Sequence, residues 1–119
     1  MQQTILKSKL HRARVTNVLI DYEGSIEIDE NLMDEVKITI YEQVHVFNIN
    51  NGHRFITYAI PGKRGDRLIS INGAAARLAE INDRIIIVAY GIISTDQEKV
   101  IPKVLVLDEK NQILEKKGI

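Results

Sequence analysis

The sequence predicts a mainly β fold, a closed or folded-over barrel of many short strands. Three observations carry that prediction. Apolar residues recur at a spacing of two or in short runs rich in Val and Ile, and no segment sustains a helical period for several turns. The dipeptide Asn51-Gly52 sits between two alternating segments, a strong hairpin signal. With two Phe, four Tyr and no Trp among 119 residues, the core must be aliphatic, which suits β-branched strands.

Val- and Ile-rich segments place strands at roughly 10–20, 26–28, 43–50, 53–60, 67–71, 84–93, 101–107 and 112–115. The third and fourth, Gln43 to Asn50 and His53 to Tyr58, form the hairpin around Asn51-Gly52. Short helical stretches are expected at 30–35 and at 73–78, the second because Ala74, Ala75 and Ala76 favour helix. Both are too short to build an α/β layer. The tail from Glu115 to Ile119 is expected to fray. No repeat, low-complexity segment or linker divides the chain, so one domain over 1–119 is expected.

Sixteen basic and sixteen acidic residues cancel, so no global field draws the chain to nucleic acid or to an anionic membrane. The start of the sequence lacks the apolar run of a signal peptide, and no stretch is apolar for the length of a membrane span. The absence of cysteine excludes disulfides and thiolate ligands and points to the cytoplasm.

Taken singly, the residues announce no enzyme. Three scattered histidines, no Cys and no acidic pair at ligand spacing argue against a zinc site or a cysteine nucleophile. Gly24-Ser25 alone is a common turn dipeptide. Arg54 and Tyr58 lie four apart on an expected strand and share a face, whereas Thr57 points to the other. Lys9 and His11 likewise share a face. A non-catalytic small β-barrel binding module stays open on these grounds, as does a hydrolase using Ser25 as a standing nucleophile with His11 as its base. His45 and His53 receive no role.

Five segments taken together are more specific: Leu6-Lys7-Ser8-Lys9-Leu10-His11-Arg12, Tyr22-Glu23-Gly24-Ser25, Tyr41-Glu42-Gln43-Val44, Asn51 to Ile60, and Asn72-Gly73-Ala74-Ala75-Ala76-Arg77. In order and spacing they resemble the pyruvoyl-dependent L-aspartate 1-decarboxylase family over most of residues 1–90. The resemblance implies a six-stranded double-psi β-barrel with short helices. It implies a homotetramer with sites between subunits, a fit to Thr57 and Tyr58 facing opposite ways. It also implies self-cleavage between Gly24 and Ser25 into 1–24 and 25–119, with the need for a maturation partner left open, and a place in pantothenate biosynthesis. The C-terminal strands match more weakly. Phe47 stands where many members carry Trp, so the indole donor is missing.

By the same resemblance, the Ser25 hydroxyl attacks the Gly24 carbonyl, and the resulting ester eliminates and hydrolyses to a pyruvoyl group. That group forms a Schiff base with L-aspartate and acts as the electron sink that no ordinary side chain offers, without metal or PLP. Gly24, lacking a β-carbon, leaves its carbonyl open to attack. Tyr58 is implied as proton donor, Thr57 as an aid to processing and a substrate contact, and Asn72, Gly73, Ala74 and Ala75 as a substrate-binding loop. Lys9 and Arg54 bind substrate, and His11 and Tyr22 lie near the site. The leaving carboxylate becomes neutral carbon dioxide, so Arg54 is expected to grip the retained β-carboxylate.

Overall fold

The computed structural model describes residues 1–97 and 99–119. The described residues form β1 (Gln2–Arg14), β2 (Asn17–Leu19), β3 (Ser25–Asp29), α1 (Glu30–Val36), β4 (Gln43–Asn48), β5 (Arg54–Gly62), β6 (Ile69–Asn72), a 3-10 turn (Gly73–Leu78), β7 (Arg84–Ser94), β8 (Lys103–Leu107) and β9 (Ile113–Lys117). The strands run in the order β2-β6-β3-β5-β4-β7-β1-β8-β9. The pairs β1/β8, β2/β6 and β3/β5 are parallel and the others antiparallel.

This order closes on itself because β2 continues β1. At the junction the chain changes partners: the Val15 amide donates to the Asp83 carbonyl at 2.9 Å and the Thr16 amide to Ile69 of β6 at 2.8 Å. The ring is therefore six strands, β1 with its continuation β2, then β6, β3, β5, β4 and β7, while β8 and β9 extend the sheet outside it. The partner change also explains why one strand over 10–20 becomes two. The eight residues before position 10 belong to β1 as well: Gln2 to Leu6 pair with β7 but are largely exposed, so they lack the apolar alternation that marks a strand in sequence.

Leu10, Ala13, Val15, Ile26, Ile28, Val44, Val46, Ala59, Ile69, Ile71, Ile85 and Ile87 fill the barrel, all fully buried and all aliphatic. Leu32, Met33 and Val36 of α1 cap it, and the helix ends on Lys37 in the left-handed region (φ 61°). The hairpin is present, but its loop spans 49–52 rather than two residues. The Asn48 amide donates to the His53 carbonyl, and Gly52, at φ 77°, donates back to the Asn48 carbonyl. Asn50 Oδ1 accepts from the Arg84 amide at 2.7 Å, tying the loop to β7 and making the wider turn worthwhile. The tail does not fray through Lys117: it pairs with β8 as β9, and Lys103 Nζ donates to the Gly118 carbonyl.

Asp29, fully buried, both ends β3 and starts α1. Its Oδ1 accepts from the amides of Asn31 (2.9 Å) and Gly65 (3.1 Å), and its Oδ2 from the amide of Arg67 (2.7 Å). One carboxylate thus caps a helix and pins the 63–68 loop. Replacing Asp29 by Ala leaves three amide donors without it, so the variant should lose about 3 kcal/mol in denaturant unfolding at fixed protein concentration. A loss below about 1 kcal/mol would assign the loop's order to other contacts.

Among the described residues, no helix is long and apolar enough to cross a membrane.

Candidate active site

β6 lies between β2 and β3, so its last residue, Asn72, is flanked by Leu19 on one side and Ser25 on the other. The segment 20–24 therefore arches over the end of β6, with Leu19, Ile20 and Tyr22 exposed. Beneath the arch, Gly73 turns the chain into the 3-10 turn at φ 80°. A β-carbon at Gly73 would lie 2.7 Å from Gly24 Cα, 2.9 Å from Gly24 N and 3.1 Å from the Tyr22 carbonyl. The steric need for glycine thus falls on Gly73. Gly24 itself has no positive φ, and a β-carbon there would meet nothing within 4 Å.

Ser25 is 1% exposed and its hydroxyl is held on two sides. Asn72 Nδ2 donates to Ser25 Oγ at 3.1 Å, and Oγ donates to the Glu23 carbonyl at 3.2 Å. Ser70 Oγ donates in turn to Asn72 Oδ1 at 2.9 Å, and both residues are buried. Ser70 is the residue that sequence reasoning missed. Its signal was the spacing of two from Asn72, which puts both side chains on one face of the strand.

β3 runs parallel to β5 with Ile26 opposite Ala59, so the register carried back one residue sets Ser25 beside Tyr58. The Tyr58 ring meets Tyr41 edge-on at 6.2 Å, on the outer face of the sheet. Thr57 pairs with Val44, whose side chain is buried, and so belongs to the inner face. Ala74 and Ala75 follow Gly73 within the 3-10 turn.

The remaining residues of interest lie elsewhere in the chain. Arg54 begins β5, opposite Phe47, four residues from Tyr58 and so about 13 Å along the strand. Its guanidinium lies 4.6 Å from the centre of the Phe47 ring, so the phenyl face supports the cation without an indole donor. Lys9 pairs with Val88 of β7 and Val104 of β8, neither of them a neighbour of β3. His11 sits at the irregularity between Leu10 and Ala13, beside Arg12 at φ 65°. Burial, and then the positive charges of Lys9, Arg12, Lys117 and Arg84, push its imidazole below the usual histidine range. Its Nδ1 is buried without a partner among the described residues. Among the described residues, no group of three His, Cys, Asp or Glu could hold a metal ion.

The chain matches the family model described as aspartate decarboxylase over residues 1–114. It is 52% identical over 116 residues to the aspartate 1-decarboxylase of Bacillus cytotoxicus, covering 97% of this chain and 91% of that protein. It is 50% identical over 115 residues to the protein of the same name from Thermosipho melanesiensis, covering 97% and 96%. In architecture it is similar to a computationally designed double-psi β-barrel, with TM-score 0.50 and 15% identity, covering 73% of this chain and 99% of the designed one. That likeness and the closed ring of strands make the fold a double-psi β-barrel, and the match along nearly the whole sequence means that the chain belongs to the aspartate decarboxylase family.

Proposed function

We propose that this chain converts L-aspartate to β-alanine and carbon dioxide after cutting itself between Gly24 and Ser25. The observation that carries the reading is the buried Ser25 hydroxyl, bracketed by the Asn72 amide and the Glu23 carbonyl at the start of a strand. A surface turn serine has no need of two such partners. In the proposed cleavage, Ser25 Oγ bonds to the Gly24 carbonyl carbon, the Gly24–Ser25 amide bond breaks, and the hydroxyl proton passes to the freed nitrogen. Loss of the residue-25 Cα proton to water then breaks Cβ–Oγ and leaves Gly24 as a carboxylate, and a second water releases the nitrogen as ammonia.

The surroundings fit the group so formed. Residue 25 would hold it at the first position of β3, roofed by the 20–24 arch and floored by Asn72 and Gly73. A pyruvoyl group in that place supplies an electrophilic carbonyl that delocalises the charge left by departing carbon dioxide. Tyr58, next in register to Ser25, is suited to give a proton to that carbon. Thr57, on the inner face, is suited to hold the Gly24 carbonyl during cleavage. Amides and small side chains at Asn72, Gly73, Ala74 and Ala75 leave room for the substrate to approach the backbone.

Lys9 and Arg54, both remote from Ser25 within one chain, support a site completed by a second copy, in which the two cations neutralise the dianionic substrate and Arg54 holds the β-carboxylate. The outer face of β4, β5 and β7 suits such association: Ile56, Tyr90 and Ile92 are 57%, 40% and 69% exposed, and His45 packs edge-on against Tyr90 at 5.1 Å. A homotetramer is the assembly this reading takes.

Intact mass under denaturing conditions tests the proposal. The purified chain, incubated alone and then with cell extract as a source of any maturation factor, should yield fragments of 24 and 119 − 24 = 95 residues. β-Alanine release from aspartate should track the cut fraction. A chain that stays whole in both incubations would leave the buried Ser25 as packing only.

A further inference from the structure

We propose that Ser70 is a positioning residue for the self-cleavage, setting which way the Asn72 amide faces the Ser25 hydroxyl; the inference rests on the reading of Ser25 given above. An asparagine side chain presents an acceptor at one corner and a two-hydrogen donor at the other, and a half-turn exchanges them. Here the Ser70 hydroxyl donates to Asn72 Oδ1 at 2.9 Å, so the amide nitrogen faces Ser25 Oγ at 3.1 Å. Ser70 and Asn72 are 1% and 0% exposed, so no solvent competes for these bonds. With one Ser25 lone pair taken by the amide and its hydrogen on the Glu23 carbonyl, the other lone pair is left for the Gly24 carbon.

The direction of the amide matters most in the elimination step. As Cβ–Oγ of residue 25 breaks, its electron pair moves onto Oγ, which departs as part of the Gly24 carboxylate while the Cα proton passes to water. A donor already aimed at Oγ stabilises that charge, and an acceptor there opposes it. Without the Ser70 hydroxyl, buried Oδ1 keeps no partner. Either orientation of the amide then leaves one end unpaired, so the flipped one, which accepts from the Ser25 hydroxyl, competes with the donating one. The geometry thus gives Ser70 control over leaving-group stabilisation without touching the reacting atoms.

Ser70→Ala and Ser70→Thr test this through the rate of fragment appearance, measured by denaturing mass spectrometry with thermal unfolding in parallel. Ser70→Ala should cut roughly tenfold or more slowly, with a larger share of uncut chain cleaved by hydroxylamine, the signature of an accumulated ester. Ser70→Thr, which keeps the hydroxyl, should restore the rate. In an Asn72→Ala background the Ser70→Ala change should add no further slowing, since the two act through one contact. Should Ser70→Ala fail to fold, Ser70→Cys, a near-isostere with a weak donor, reads the same rate. Wild-type speed in the folded Ala or Cys variant overturns the role of Ser70, and so does slowing that adds fully to that of Asn72→Ala. A wild-type chain that never cuts removes instead the reading of Ser25 on which this rests.

Discussion

Ser25→Ala should leave the chain in one piece and without decarboxylase activity. The substitution removes the only atom proposed to attack the Gly24 carbonyl, and the two groups in contact with Oγ, the Asn72 amide nitrogen and the Glu23 carbonyl, are not nucleophiles that could replace it. The fold should survive. Among the described residues, Ser25 accepts a single side-chain hydrogen bond, from Asn72 at 3.1 Å, and leaving that donor without a partner costs about 1 kcal/mol. Mass analysis should therefore find a folded, full-length protein after incubation with any maturation factor, and labelled aspartate should release no carbon dioxide above background. Carbon dioxide from Ser25→Ala would remove the pyruvoyl mechanism, and a cut Ser25→Ala chain would mean that an outside protease makes the break.

Gly73→Ala should impair both folding and cleavage. At φ 80° an L-residue pays about 1–2 kcal/mol of backbone strain, and the new β-carbon would lie 2.7 Å from Gly24 Cα, well inside van der Waals contact. All three contacting atoms, Gly24 Cα, Gly24 N and the Tyr22 carbonyl oxygen, are backbone, so no side chain can swing away, and the arch at 22–24 must lift. Lifting it draws the Gly24 carbonyl from Ser25 Oγ, where a shift of about 1 Å costs on the order of a hundredfold in rate. The expected result is a fall in unfolding midpoint together with a much slower appearance of the 24-residue fragment. Gly24→Ala is the control for stability alone: with open space at its β-carbon and no positive φ, it should unfold like the parent. Wild-type cleavage in Gly73→Ala would show that the arch tolerates a methyl group beneath it.

Much of this molecule is legible without coordinates, for identifiable reasons. Alternating Val44 and Val46 against Phe55, and the Ile pairs of 69–71 and 85–87, mark strands because a half-buried pleat demands period two. Asn51-Gly52 marks a hairpin because Gly52 takes a positive φ, here 77°. The polar half of β1 and the paired tail of β9 are not legible in the same way. Their strand character comes from a neighbour's free edge, and exposed charged residues such as Lys116 and Lys117 carry no apolar signal.

The site divides along the same line. Taken singly Gly24-Ser25 is a turn dipeptide, and only the family resemblance marks it together with Asn72-Gly73, with 47 positions between Ser25 and Asn72. Chain order does not encode that β6 slips between β2 and β3, because strand pairing is settled by which edges the closing barrel leaves available. That insertion is what brings Ser25 to Asn72, makes Gly73 rather than Gly24 the sterically obligatory glycine, and gives Ser70 its place behind the amide. The aliphatic β character, the family and the residue types its chemistry needs can all be read from the amino-acid order alone. Only the tertiary structure decided which of them meet, since contacts across a barrel depend on register and closure, which no local pattern contains.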